Sequence, residues 1–179
     1  MIKVSEITHS APAEFQNDMH KKVYERLQML NIPFDRVDTD EAISMEDCIN
    51  IANKLQCPIV KTLFLCNRQK TNFYLLVTTD SKPFSTKNFS QALGIARVSF
   101  APAELLWLML GCKVGGTSVL SSVYDTENKV QIVIDKDVLG EEWYGCSDGT
   151  ATSYMRLPMK MVMEDYLTSI GHQALFVNV

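Results

Sequence analysis

From Met19 onward the apolar residues Val23, Tyr24, Leu27 and Leu30 recur at helical spacing, while Lys21, Lys22, Glu25, Arg26 and Gln28 fill the other face. This pattern predicts an amphipathic helix that stops near Asn31, ahead of Pro33. A short extended piece at 34–37 follows. Ser44-Met45-Glu46-Asp47 then has the form of a capping box, whose side chains can satisfy free amide donors, and it opens a second helix carrying Cys48, Ile51, Ala52 and Leu55 inward. Pro58 ends helical character. Residues 59–66 read as a strand dry on both faces apart from Lys61 and Thr62, and 73–78 mirror it. The polar link 67–72 makes the two an antiparallel hairpin. Residues 85–93 look helical and close at Gly94, 97–100 are extended, and Pro102 opens a helix carrying Leu105, Leu106, Leu108 and Met109 that ends at Gly111. Three further strands are expected at 119–124, 130–135 and 151–157. Pro158 then opens a last helix with Met159, Val162, Met163, Tyr166 and Ile170 on one side, terminated by Gly171.

Strands come in clusters separated by helices rather than in strict βαβ alternation. The expected fold is therefore α/β of the α+β kind, a single domain with a mixed, largely antiparallel sheet and flanking helices. The domain is expected over 18–179. Residues 1–17 mix Thr8, His9, Ser10, Ala11 and Pro12 without a period and read as an N-terminal extension, extended or poorly ordered. With 179 residues, 46% of them hydrophobic and 21% charged, the chain can bury roughly 70% of its unfolded surface without metal or disulfide support.

Charge narrows the partners. Seventeen Lys+Arg against 21 Asp+Glu give a net charge of -4, which leaves no broad basic footprint for DNA or long RNA, though a local basic pocket is allowed. Cys48, Cys57, Cys66, Cys112 and Cys146 are odd in number and form no C-x-x-C pair, so reduced core thiols and a cytoplasmic location are expected. No apolar run reaches the ~18–20 residues of a membrane helix, and residues 1–20 lack the apolar middle of a secretion signal.

Lys61 is the first chemical candidate, because a buried ammonium without a partner is expensive and its neighbours all prefer to be dry. Strand alternation puts it on one face with Ile59, Leu63 and Leu65. Either its stem packs while the head reaches water, or the cation sits at the floor of a pocket and meets phosphate, carboxylate or a developing oxyanion. Gly115-Gly116-Thr117-Ser118-Val119 is the second candidate: adjacent glycines let backbone amides approach a ligand and the hydroxyls can hold a small polar group, but a tight turn into a strand explains them nearly as well. Gly145-Cys146-Ser147-Asp148-Gly149-Thr150 is the third, and Asp-Gly most often means only a turn. His9, His20 and His172 have no partner at ligand spacing, so surface histidines and no metal or cofactor are expected. The nucleotide-phosphate glycine motifs and the G-x-S-x-G elbow do not occur. Met155, Met159, Met161 and Met163 read as core filler.

With these segments in hand, residues 23–167 resemble the YbaK/prolyl-tRNA editing superfamily, in particular its free-standing bacterial prolyl-tRNA editing proteins. The stretch that carries the resemblance is Lys61-Thr62-Leu63-Phe64-Leu65-Cys66-Asn67-Arg68, followed by Tyr74-Leu75-Leu76, Arg97-Val98-Ser99-Phe100-Ala101 and Glu104-Leu105. The family's principal functional lysine falls on Lys61. Its G-x-x-x-P loop falls on 115–119 with Val119 in place of proline, and its F-H-P segment on Tyr144-Gly145-Cys146-Ser147, with Gly145 in place of histidine and Ser147 or Asp148 as partial substitutes. The resemblance implies a deacylase acting in trans on the ester of mischarged tRNA, foremost alanyl-tRNA for proline. Lys61 would be catalytic, and Thr62, Gly115, Gly116, Thr117, Ser118, Ser147 and Asp148 would bind substrate. The partner would be the tRNA acceptor end, touched by a few of Lys61, Arg68, Lys70, Lys82 and Lys113. A non-catalytic module binding an aminoacyl-tRNA end or a small ligand is the alternative, and a structural interaction protein a third reading.

Overall fold

In the computed structural model, which describes residues 2–42 and 44–179, strands β2 (Lys61–Asn67) and β3 (Phe73–Thr78) form the expected antiparallel hairpin, with Lys61 opposite Thr78 and Cys66 opposite Phe73. Its turn is closed by the Asn67 side-chain oxygen, which accepts from the amides of Thr71 at 2.8 Å and Asn72 at 3.0 Å. Strand β4 (Val98–Phe100) lies antiparallel along the other edge of β2, while β5 (Val130–Asp135) and β8 (Leu175–Val177) extend the sheet in parallel beyond β3. A second sheet is antiparallel throughout, with β7 (Ser153–Pro158) between β1 (Asp35–Asp38) and β6 (Trp143–Ser147). The α+β reading with a mixed, largely antiparallel arrangement therefore holds, distributed over two sheets.

Helix α1 (Asp18–Met29) starts at Asn17, whose side chain accepts from the His20 amide, and buries Met19, Val23, Tyr24 and Leu27 as its periodicity predicts. With α4 (Ala103–Leu110) it covers the face of the five-stranded sheet that carries Phe64, Leu75, Val77, Ile132 and Ile134. The opposite face packs Leu65, Leu76 and Val133 against Phe89 of α3 (Thr86–Leu93). Helix α2 (Cys48–Leu55) sits over β1 and β7 with Ile51 and Leu55 fully buried. No helix among the described residues is long and apolar enough to cross a membrane.

Several expectations are corrected. Residues 119–124 form a buried 3-10 helix rather than a strand, because the Ser118 hydroxyl accepts from the Leu120 amide and turns the chain. Strand β6 takes the place of an expected loop, and the last strand runs through Pro158 instead of ending before it. The C-terminal helix then passes through a π-helical stretch, Met161–Tyr166, into α5 (Leu167–Ser169). The pair Ser44 and Asp47 does form reciprocal hydrogen bonds, but it closes a turn ahead of α2. Of the residues expected inward on α4, Leu106 is buried and Leu105 and Met109 pack partly on the core, but Leu108 faces solvent at 71% exposure and Leu110 is buried in its place. The first residues are extended, and they are tied to β1 by bridges Val4–Thr39 and Thr8–Arg36 and by Arg36 Nε donating to the Ser10 carbonyl at 3.0 Å.

Two histidines expected at the surface are buried. His172 lies 3.0 Å from the Asp125 carbonyl. His20 accepts the Gln16 amide at Nδ1, which puts the proton on Nε2, and donates from there to Asp148 at 2.6 Å. Asp148 is fully buried and also accepts from Tyr24 Oη at 2.7 Å and from Thr150 Oγ1 at 2.7 Å, so this carboxylate staples α1 to the turn after β6.

All five cysteines are free and buried. Burial pushes the Cys48, Cys57 and Cys112 thiols up to about 11, and Cys146 higher still. At neutral pH these sulfurs are protonated, so iodoacetamide should leave the native protein largely unmodified while alkylating all five cysteines of the urea-unfolded chain, as read by mass spectrometry. Asp148→Ala, which leaves the buried His20 and Tyr24 donors without their acceptor, should cost ~1–3 kcal/mol for each unsatisfied donor in urea unfolding.

Candidate active site

The run from Ile59 to Asn67 is shared between the two sheets. Ile59 bridges Gly145 and the Val60 amide donates to the Gly145 carbonyl at 2.9 Å, while at the other end β4 pairs only with Leu65, Cys66 and Asn67. Between these attachments no strand among the described residues covers the outer edge of β2 at Lys61, Thr62 and Leu63. A cavity of about 460 Å³ opens there. That volume lies in the ~300–1,000 Å³ range of small-ligand sites and suits the end of a larger molecule rather than its bulk.

Of the residues singled out in the sequence, Lys61, Thr62, Gly115, Thr117 and Ser147 line the cavity. Gly116 lies behind its wall: its carbonyl accepts from Ser147 Oγ at 2.9 Å, and a Cβ placed there would come within 2.8 Å of the Thr150 backbone. Ser118 is fully buried as the cap of the 3-10 helix, and Asp148 is committed to His20 and Tyr24, so neither lines the cavity. Gly145 is where the resemblance places a histidine, yet a Cβ there would lie 2.3 Å from the Pro58 carbonyl oxygen. The crossing of β6 with the 58–60 segment excludes an imidazole from that backbone position.

Tertiary packing adds residues not expected at the site from the sequence. Tyr154 comes from β7, its hydroxyl 3.2 Å from the carbonyls of both Ala42 and Gly115, so it joins two walls of the cavity. Cys48 enters from the start of α2, and Phe100 from the end of β4, where it remains 61% exposed at the rim. Burial, with Cys48 next to it, raises the Tyr154 phenol well above its ordinary value. Phenol and thiol are therefore neutral at physiological pH. Lys61 is the only Lys, Arg, Asp or Glu among the lining residues.

The Lys61 ammonium donates to the Lys82 carbonyl oxygen, which leaves two of its three protons for other acceptors. Of the other cations named from the sequence, Lys82 is engaged by Asp135 and Asp137, and Arg68 and Lys70 sit at the hairpin turn, at the opposite end of β2 from Lys61. Lys113 is exposed beside Val114 and Gly115 of the rim. No group of three His, Cys, Asp or Glu side chains among the described residues is placed to hold a metal ion. The site thus offers the Lys61 cation and hydroxyl side chains among otherwise apolar lining, a set suited to binding and polarising an ester or phosphate.

The solved structures that resemble this fold include a hypothetical protein, at TM-score 0.67 and 16% identity, covering 87% of this chain and 98% of the other. Another has been proposed as a trans-editing enzyme for prolyl tRNA synthetase, at TM-score 0.62 and 15% identity, covering 91% and 98%. In sequence the chain is 27% identical over 121 residues to a prolyl-tRNA synthetase associated domain-containing protein of Danio rerio, spanning 68% of this chain and 65% of that relative's length. It is 26% identical over 123 residues to the prolyl-tRNA editing protein ProX of Acetoanaerobium sticklandii, spanning 69% and 75%. The aminoacyl-tRNA editing domain profile matches residues 39–164, the segment that contains Lys61, the 115–119 loop and both strands flanking the cavity. With most of its length matched by that profile, the chain belongs to the aminoacyl-tRNA editing domain family.

Proposed function

We propose that the protein hydrolyses the ester linking a wrong amino acid to tRNA, acting in trans in the cytoplasm, with alanyl-tRNA for proline as its foremost substrate. The observation that carries this reading is the cavity whose one charged lining residue among the described residues is Lys61, walled by Gly115, Thr117 and Ser147. An aminoacyl ester is already activated, so a positioned water with electrostatic stabilisation of the tetrahedral oxyanion suffices. Lys61 supplies that stabilisation or holds the terminal phosphate. The backbone of Gly115 and the hydroxyls of Thr117 and Ser147 hold the aminoacyl end, and Thr62 lines the entry beside Lys61. Covalent catalysis is disfavoured because the cavity's thiols are raised by burial and its hydroxyls have no lining histidine to activate them.

The acceptor end would enter past Phe100, with Lys113 near the rim, so that few phosphates are contacted and association is weak and salt-sensitive. Apolar pockets separate neighbouring amino acids by only about 1–3 kcal/mol, which is the chemical reason a separate editing step is useful and why exclusion of proline by size is modest. A non-catalytic binding module is the second reading. One observation favours it: no carboxylate or imidazole lines the cavity to act as general base.

A deacylation panel of alanyl, seryl, cysteinyl and prolyl esters on proline tRNA tests both readings. The enzyme reading expects release of alanine fastest, and a loss in kcat/KM of ~10²-fold or more in Lys61→Ala, in keeping with removal of an oxyanion-stabilising donor. Binding of alanyl-tRNA without release by the wild-type protein would establish the module instead.

A further inference from the structure

We infer that Lys82, anchored by Asp135, is a positioning residue for Lys61. This rests on the catalytic reading of Lys61 given above.

The argument begins with the flexibility of a lysine. Four rotatable bonds separate the Lys61 ammonium from a rigid strand, and holding such a head at one point costs rotamer entropy unless something fixes it. A carboxylate would fix it but would also compete with the substrate for its charge. Here the fixing group is a neutral carbonyl, that of Lys82, in the turn between β3 and α3. The Lys82 amide donates to the Thr79 carbonyl at 3.3 Å and Phe84 of the same turn packs against Phe89 and Phe100, but the tie at Lys82 itself is its side chain, whose ammonium lies 2.6 Å from Asp135 and 2.6 Å from Asp137.

Asp135 is the fixed point. It ends β5 and is fully buried, and it also accepts from Thr78 Oγ1 at 2.7 Å and from the Asp137 amide at 3.1 Å. Thr78 is directly opposite Lys61 across the hairpin. The connection therefore closes on itself, from Lys61 across the strands to Thr78, through its hydroxyl to Asp135, through the ion pair to Lys82, and through the Lys82 carbonyl back to the Lys61 ammonium. Burial raises the Asp135 carboxyl, but the hydrogen bonds from Lys82, Thr78 and the Asp137 amide outweigh it and hold the group ionised. Both carboxylates are spent on Lys82, so Lys61 is held in place and its charge stays available to the cavity.

The test uses Lys82→Met and Lys82→Arg, with Asp135→Asn in support. The Lys82 side chain is partly exposed, so its replacement by methionine keeps the stem while removing the tie to Asp135. Nitrogen-15 NMR of the lysine ammonium groups reports the Lys61 head directly, assigned by its absence in Lys61→Ala. The expected result for Lys82→Met is a broadened or lost Lys61 signal, with kcat for alanyl-tRNA hydrolysis down by ~10-fold or more and KM changed much less. A displacement of about 1 Å in a reacting group can cost ~10²-fold. Lys82→Arg should recover both the signal and most of kcat. An unchanged Lys61 signal in Lys82→Met would overturn the positioning role, and so would a lost signal with kcat intact. If Lys61→Ala deacylates as wild type, the catalytic reading itself fails, which the NMR result alone would not produce.

Discussion

The site exists because one extended segment serves two sheets that diverge. Residues 59 and 60 are held by β6 and residues 65–67 by β4, so the intervening edge of β2 has no strand to pair with. An uncovered edge is ordinarily a liability, since its polar groups invite pairing with another chain. Here loops close over it, bringing Gly115 and Thr117 from one side and Ala42, Ser44 and Tyr154 from another. The gap is set by the crossing at Gly145, where the Pro58 carbonyl comes too close for any side chain.

That crossing explains how the site differs from the motif pattern to which the sequence is similar. Gly145, where the resemblance would place a histidine, has no room for a side chain, because a Cβ there would lie 2.3 Å from the Pro58 carbonyl oxygen. Asp148, the other acidic prospect from the same turn, is used up in binding α1. The end of β6 therefore contributes Ser147 to the cavity while the turn after it contributes a structural carboxylate to the core, apart in role though adjacent in sequence. What the cavity presents beside its apolar lining is the Lys61 cation and the hydroxyl side chains of Thr62, Thr117 and Ser147.

Legibility from the sequence varied with how local the determining physics was. The hairpin, α1 and α4 follow from period and punctuation, because Pro, Gly and Asn act within a few residues of where they stand. The stretch 119–124, Val-Leu-Ser-Ser-Val-Tyr, misled because residues 119–123 are buried on every side and so show no period, serines included, and Ser118 supplied a cap that a strand reading ignores. β6 was missed for the opposite reason: Gly145 and Ser147 look like turn residues, and only the partner strand β7 and the tight crossing at Pro58 show why a glycine belongs inside a strand. His20 and His172 were read as surface residues because their acceptors, Asp148 and the Asp125 carbonyl, are 128 and 47 positions away.

The sequence by itself determined the class of fold and the family resemblance, and singled out Lys61, since an ammonium inside an apolar strand needs an explanation wherever it lies. Tertiary structure alone decided which polar residues share its cavity, admitting Thr62, Gly115, Thr117 and Ser147 and assigning Ser118 and Asp148 to capping and core. It also brought in Tyr154, Cys48 and Phe100, and placed the Lys82 carbonyl against the Lys61 ammonium. The physical reason is range. Periodicity and turn chemistry act over a few residues, whereas a cavity is the space left where distant segments fail to meet, and no short stretch of sequence records that.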